Sequence, residues 1–368
     1  MSRDAPVRVF VDAGNLKPGQ AGIRTYTLGV LGALAARPDL HLVVATSVPD
    51  ELAALDVEIV RLSPRTRNYA YRSLWREVAL GRLVERAGAD VLFAPVPELP
   101  FRRPPCPAVM VVHDVGALVA PSLYGRARWL RFRLALPLAC ARADAVVCVS
   151  AATLGDLRAS VSVVESKLVV IGEAPQAWEA PDAESRAGQG SYVLYVGSLH
   201  RHKNLATLLR AFAHDGHSGR ARLLLAGPNE PSERRRLQRL AVELGIHEKV
   251  LFAGWTQKAE LRRLYSGALV VALPSLHEGY GLTVGEAMSV GAPVVASDIP
   301  ALREVGGDAV LYVSPPDSPS AWSDALATVE TDAALREDMR SRGLARASAS
   351  SWTAVGEKFA AVFRQVCG

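Results

Sequence analysis

Residues 277–298 read HEGYGLTVGEAMSVGAPVVASD. Two carboxylates, Glu278 and Glu286, stand eight positions apart, with Gly279, Gly281 and Gly285 between them. The preceding run, ALVVALP from Ala268 to Pro274, is continuously apolar and ended by proline, the pattern of a short strand buried on both faces. Beyond Gly281, the residues Leu282, Val284, Ala287 and Met288 suit a helix that Gly291 and Pro293 would stop. Residues 293–298, PVVASD, read as a second strand. Strand, glycine loop, helix and strand make one unit of a parallel α/β sheet, and the acidic pair flanks its helix start.

Such a loop has a physical use. Amide N–H groups in the first helical turn lack intrahelical partners and carry partial positive charge, and glycines let an anion approach them closely. Glu278 stands where it can reach a ligand held at the loop. Glu286, one to two turns into the helix, points to groups beside the phosphates, such as ribose hydroxyls. Acidic residues near a helix start also simply stabilise its dipole, so this stretch alone leaves both uses open.

The segment EGYGLTVGE resembles the E-x(7)-E motif of the family-four retaining GT-B nucleotide-sugar glycosyltransferases, and the likeness extends over the whole of residues 273–309. The resemblance implies an α/β protein of the GT-B fold, two Rossmann-like doubly wound domains facing each other across a cleft. It assigns the donor to the second domain, with Glu278 at the sugar, Glu286 at the ribose, and Gly279, Tyr280, Gly281 and Leu282 along the diphosphate.

The first half alternates strands and helices. Val7–Asp12 reads as a strand, followed by a Gly/Pro-rich loop to Gly22 and a helix over 23–36 with Ile23, Tyr26, Leu28, Val30, Leu31 and Leu34 in phase. There is no G-x-G-x-x-G, so no dinucleotide fingerprint. Residues 22–27, GIRTYT, resemble the family's cleft-lining loop, which implies an acceptor-side role for Gly22 and Arg24. Further strands are expected at 40–45, 57–62, 90–95, 108–112, 144–150 and 167–171. In the helix expected over 68–87, Arg72, Arg76 and Arg86 fall within roughly 80° at the helical period, read here as a solvated face, with a membrane-surface or acceptor-phosphate stripe as the alternative.

The strand at 108–112 runs into His113-Asp114, at the C-terminal edge where open α/β sheets bind ligands. The resemblance implies His113 near the donor sugar and Asp114 in the cleft. Residues 121–142 hold Arg126, Arg128, Arg131, Arg133 and Arg142. On a helical wheel Arg126 and Arg133 lie opposite Arg128 and Arg131, so no single basic face forms.

Residues 173–190, where Gly, Glu, Pro, Asp, Ser and Gln together dominate with little periodicity, read as a linker between a domain over 1–172 and one over 191–350. The second domain opens with YVLYVG (192–197) and then SLHRHKN (198–204), which resembles the family's VGxLxxxKN signature. Lys203 takes the place of the lysine on the donor diphosphate, beside Gly197. Ser198 stands where many members carry arginine, which leaves Arg201 or His202 to supply the second basic contact. A helix over 351–366 (Trp352, Val355, Phe359, Val362, Phe363) corresponds to the family's terminal helix, which crosses back onto the N-terminal domain.

Composition fits a globular protein with a large core: 368 residues, 49% hydrophobic and 21% charged. The N-terminus lacks the pattern of a signal peptide and no run reaches the length of a membrane span, so a cytoplasmic location is expected. The four cysteines have no metal-ligand or disulfide-framework spacing, and with no D-x-D the expectation is a metal-independent enzyme without a cofactor. Residues 1–175 hold 21 Lys/Arg against 16 Asp/Glu, whereas residues 176–368 hold 21 of each, so the whole net charge of +5 lies in the first half. That excess suits an anionic ligand or a peripheral contact with the inner face of a membrane, and plain uneven surface charge gives the same count; no nucleic-acid partner is expected.

The implied function is retaining transfer of a hexosyl group, mannosyl or related, from a nucleotide sugar to a sugar, lipid-linked or small-molecule acceptor. GDP-mannose is the favoured donor, with UDP- or dTDP-sugars as alternatives. A nucleotide-sugar 2-epimerase, or a non-catalytic partner subunit of the same fold, would share much of this pattern.

Overall fold

The computed structural model describes residues 5–17, 22–176, 178, 192–214, 221–228 and 230–368. Of the expected linker, residues 177 and 179–190 lie outside the described residues. The chain forms two compact units, one of 1–174 with 351–368 and one of 175–350.

The first unit is built on a seven-stranded, wholly parallel sheet: β1 (Val7–Asp12), β2 (Leu40–Thr46), β3 (Glu58–Arg61), β4 (Val91–Ala94), β5 (Ala108–Val112), β6 (Ala145–Cys148) and β7 (Leu168–Val170), in the order β3-β2-β1-β4-β5-β6-β7. β4, β5 and β6 are buried at every residue, as expected of parallel strands covered by helices on both faces. Val9 pairs with Leu42 on one side and Val91 on the other. The order reverses between β1 and β4, and there the connections diverge and leave a crevice at the strands' C-terminal ends. Asp12 ends β1, and Glu98 and His113 follow β4 and β5, so all three lie at that edge.

Helix α1 (Gly22–Ala35) and the C-terminal helix (Trp352–Cys367) pack together in this unit. Phe359 and Phe363 close on Phe93 of β4, with ring centroids 5.1 and 5.4 Å away. Gly29 permits the approach: a Cβ there would sit 2.3 Å from the Trp352 ring.

The helix expected over 68–87 is α2 (Tyr69–Trp75), a π turn (Arg76–Leu80) and α3 (Gly81–Arg86). The wider π turn keeps residues four apart in line, so Arg72, Arg76, Leu80 and Val84 all face inward. The expected solvated face is thus corrected for Arg72 and Arg76, which are buried; Arg86 is exposed. Helices α4 (Arg126–Arg142) and α5 (Ala151–Ser160) complete this unit, Ser150 capping α5 by accepting from the Thr153 N–H.

The second unit repeats the plan with six parallel strands: β8 (Tyr192–Val196), β9 (Arg222–Ala226), β10 (Val250–Gly254), β11 (Val270–Leu273), β12 (Val294–Ser297) and β13 (Val310–Val313), in the order β10-β9-β8-β11-β12-β13. β13, which the sequence reading did not anticipate, pairs with β12 along its full length. Again the order reverses between the first and fourth strands, β8 and β11. Connecting helices include α6 (Leu205–Phe212), α7 (Pro231–Glu243), α8 (Lys258–Gly267) and α9 (Leu282–Ser289).

Gly29→Ala tests the close helix approach. Overpacking of this kind costs about 1–3 kcal/mol, to be read as a lower denaturation midpoint. Gly22→Ala, whose Cβ meets nothing within 4 Å, is the matched control and should stay within about 0.5 kcal/mol of the parent.

Candidate active site

In the second unit the loops after β8 and β11 meet at the strand-order reversal. Gly197 leaves β8 with φ 150°, and its N–H donates to Ala226 O at 2.9 Å. A Cβ on Gly227 would lie 2.2 Å from Gly197 O, so the two loop backbones are in direct contact. The Ser198 carbonyl accepts from the buried Tyr195 hydroxyl at 2.6 Å, so this residue is held by its main chain. Residues Arg201–Lys203 form one 3-10 turn, closed by Asn204 in the left-handed conformation (φ 55°). Asn204 Nδ2 donates to Pro316 O at 3.0 Å and its Oδ1 accepts from Thr207 Oγ1 at 2.8 Å, which fixes the turn ahead of α6.

That turn delivers Lys203 to the acidic loop. Lys203 Nζ donates to Glu278 Oε1 at 2.6 Å, and Ser275 Oγ donates to the same oxygen at 2.7 Å. The loops are also joined by Leu276 N–H to His202 O at 2.8 Å. Burial works to raise the Glu278 pKa, but the Lys203 charge, the two hydrogen bonds and the His202 charge outweigh it and hold the carboxyl below its ordinary range. Gly281, at φ 113°, starts α9, and no side chain caps the helix. A Cβ at Gly281 would lie 2.8 Å from Leu302. Gly279, Tyr280 and Leu282 lie in the same turn, so the helix start sits directly after Glu278. Glu286, a turn further, accepts from the buried Tyr265 hydroxyl at 2.9 Å. Tyr265 in turn packs against Trp178, ring centroids 5.3 Å apart, and burial raises its pKa well above the ordinary value, with Glu286 adding to the effect.

The two residues proposed for a second phosphate contact separate here. Arg201 is 65% exposed and pairs with Glu233 at 3.4 Å, away from the Lys203–Glu278 pair. The His202 charge, by contrast, acts on Glu278.

The first unit gathers its own polar group at the reversal between β1 and β4. Arg76 Nε donates to Asp12 Oδ2 at 2.5 Å and Arg76 Nη1 donates to Glu98, while Arg72 reaches Glu98 at 3.3 Å. Burial works to raise the Glu98 pKa, but Arg76 and Arg72 together hold it below the ordinary range. Next to Glu98, His113 Nε2 donates to Pro95 O at 2.8 Å, and its Nδ1 lies 3.3 Å from Glu173 Oε1. The Tyr26 ring meets the imidazole edge-on at 4.5 Å. Burial works to lower the His113 pKa, but Glu173, Pro95 O and Asp114 prevail and raise it. Asp114 Oδ1 accepts from the Gly116 N–H at 3.0 Å and faces Arg128 at 3.8 Å. Glu98, His113, Asp114, Arg128, Arg131 and Phe132 are among the residues lining a cavity of about 130 Å3.

Of the residues assigned to the acceptor side, Asp114 lines this cavity, but Arg24 does not. Its guanidinium is engaged by Glu51 in an ion pair. Gly22 simply opens α1 at the surface. Asp12, Glu98, Glu173 and Tyr265 belong to these clusters and were missed in the sequence. Asp12, as the charged end of an apolar strand, was the one with a readable signal.

Residues 176–346 match the family model of glycosyl transferases group 1, and residues 21–173 match that of Glycosyltransferase Family 4. The chain belongs to these glycosyltransferases. The enzyme is 37% identical to O-antigen chain mannosyltransferase B of Escherichia coli over 169 residues, which is 45% of this chain and 43% of that protein, so the match spans less than half of the relative. Against O-antigen chain mannosyltransferase RfbU of Salmonella typhimurium the identity is 25% over 332 residues, 88% of this chain and 91% of the relative. The solved structure of Anabaena HepE in complex with UDP and glucose matches with a TM-score of 0.78 at 16% identity, covering 98% of this chain and 100% of that one. The fold class is GT-B.

The raised His113 pKa has a definite sign. Folding binds the imidazolium more tightly than the unfolded chain does, so the stabilisation is full below the ordinary histidine value and is lost as pH rises through the folded one. Glu173→Gln should lower the His113 midpoint measured by ring NMR, and its stability deficit should shrink on raising the pH. An unmoved midpoint would show that Glu173 does not hold the proton.

Proposed function

We propose that this glycosyltransferase moves a hexosyl group, mannosyl in the first place, from a nucleoside-diphosphate sugar to an acceptor hydroxyl with retention of configuration. The observation that carries the reading is the Lys203–Glu278–Ser275 contact at the end of β11, immediately ahead of the α9 N-terminus. A flexible ammonium and a helix start side by side supply positive charge where a diphosphate leaves. The mannosyltransferase relatives support the choice of sugar.

In this reading the donor diphosphate displaces Glu278 as the partner of Lys203. Glu278, still held by Ser275, then accepts from a sugar hydroxyl, while Glu286, oriented by Tyr265, accepts from the ribose. The C1–O bond to the diphosphate breaks, the acceptor oxygen bonds C1 on the same face, and the acceptor proton passes to the departing phosphate oxygen. Retention by this route rests on analogy with the family. His202 is the second basic group near the phosphates. The acceptor binds the first unit, its hydroxyl end at the cavity beside His113 and Asp114. Positive charge from side chains and amides fills the role a metal would take, so turnover should be insensitive to EDTA. HepE, which holds UDP and glucose, favours a second reading in which the donor is a UDP-sugar.

A thermal-shift screen against GDP, UDP, dTDP and ADP and their sugars separates the readings. A ligand at a hundred times its Kd stabilises the fold by about 2.7 kcal/mol, so the matching base should stand out, and Glu286→Ala should abolish its shift. GDP selects the mannosyl reading, UDP the second, and no shift from any of them sinks both. Lys203→Ala and Glu278→Ala should each lower kcat about 10²–10³-fold, the scale of one preorganised charge contact. His202→Ala should reduce turnover more than Arg201→Ala.

A further inference from the structure

Helix α4 turns an apolar strip away from the core. Leu130, Leu134 and Leu138, spaced four apart, are 50%, 61% and 43% exposed, while the helix is anchored by Leu136, Ala139 and Cys140. Ala127 and Ala141 are exposed between the leucines. At about 100° per residue, Arg126 and Arg133 border this strip on one side and Arg131 on the other. The arginines do lie on different faces of the helix, as the wheel reading had it. What that reading left out is the leucine strip between them. A solvated helix has the opposite arrangement, polar at the centre of its outer face.

The surroundings extend the pattern. Arg131 lies over the Tyr69 ring at 4.6 Å, so the start of α2 adjoins α4. At the other end Arg142 Nε donates to Phe101 O at 2.6 Å, and the Phe101 N–H donates to Glu77. Phe101, Leu74 and Val78 are each 60% exposed or more. Residues 99–142 contain seven arginines and one acid, Asp114, which already faces Arg128. Arg126 and Arg133 have no carboxylate partner among the described residues.

We infer that the outer face of α4 docks this enzyme on an anionic lipid surface. Leucines at the centre enter the boundary between headgroups and acyl chains, and the flanking arginines reach back to the lipid phosphates. A second copy of the chain suits the face poorly, because a two-fold contact would set arginines against arginines. The contact is peripheral, since no helix among the described residues is long and apolar enough to cross a membrane. The inference is independent of the donor reading.

Co-sedimentation of the full chain with phosphatidylcholine vesicles, with and without phosphatidylglycerol, tests it. Pelleting is expected with the anionic vesicles, falling as salt is raised. The variant Leu130→Ser/Leu134→Ser/Leu138→Ser should partition at least tenfold less, and so should Arg126→Glu/Arg133→Glu, which replaces only exposed side chains. An unchanged thermal midpoint shows that each variant is folded. The inference is overturned if the parent ignores anionic vesicles, if it binds neutral ones equally, or if both folded variants bind like the parent. A concentration-dependent dimer that the leucine variant loses in ultracentrifugation would assign the face to a second copy instead.

Discussion

The ion pair between Lys203 and Glu278 is the contact on which the second unit's site depends. It joins residues 75 positions apart, in the loops that follow two different strands, and the Leu276 N–H donating to His202 O at 2.8 Å ties the same two loops. The cation holds the carboxyl below its ordinary range, which favours the ionised form that makes the pair. It also keeps the carboxylate from standing bare next to a site for anions. In the proposed reaction these two opposite charges in contact act as a preorganised switch: an incoming diphosphate takes the cation and leaves an oriented acceptor behind.

The first unit solves a different electrostatic problem. Arg76 is buried between Asp12 and Glu98, and each of the three would be costly alone. Arg72 and Arg76, one turn apart, share the buried face, and both reach Glu98. The result is a rigid polar floor under His113 and Asp114. Charge on that floor is internally balanced, so the cationic character of the cavity comes from its α4 wall, Arg128 and Arg131.

The parallel sheets were legible because buried strands such as VVAL and AVMVV carry unbroken apolar runs between glycine and proline punctuation. Lys203, Glu278 and Glu286 were legible as a pattern of residue types at fixed spacing. Residues whose roles arise from three-dimensional closure were not. Tyr265 meets Glu286 from the preceding helix, and Glu173 reaches His113 across 60 positions, with no local signal. Arg72 and Arg76 were misread because nothing near them in sequence announces Asp12 and Glu98, the carboxylates that let them be buried. The Arg24–Glu51 pair had no local signal either, because nothing near Arg24 in sequence announces Glu51. β13 was missed because its four residues, VLYV, are too short a run to assert a strand.

The discontinuity of the first unit has a consequence for biosynthesis. Phe93 lies against Phe359 and Phe363, so a strand of the first unit is covered by a helix made after the whole of the second unit. The second unit, continuous from 175 to 350, has all its strands available before that helix exists. Domains tend to fold in the order they are made. Here the order is reversed in part: the first unit starts before the second and is completed after it, and a chain cut short before residue 352 leaves its β4 core uncovered.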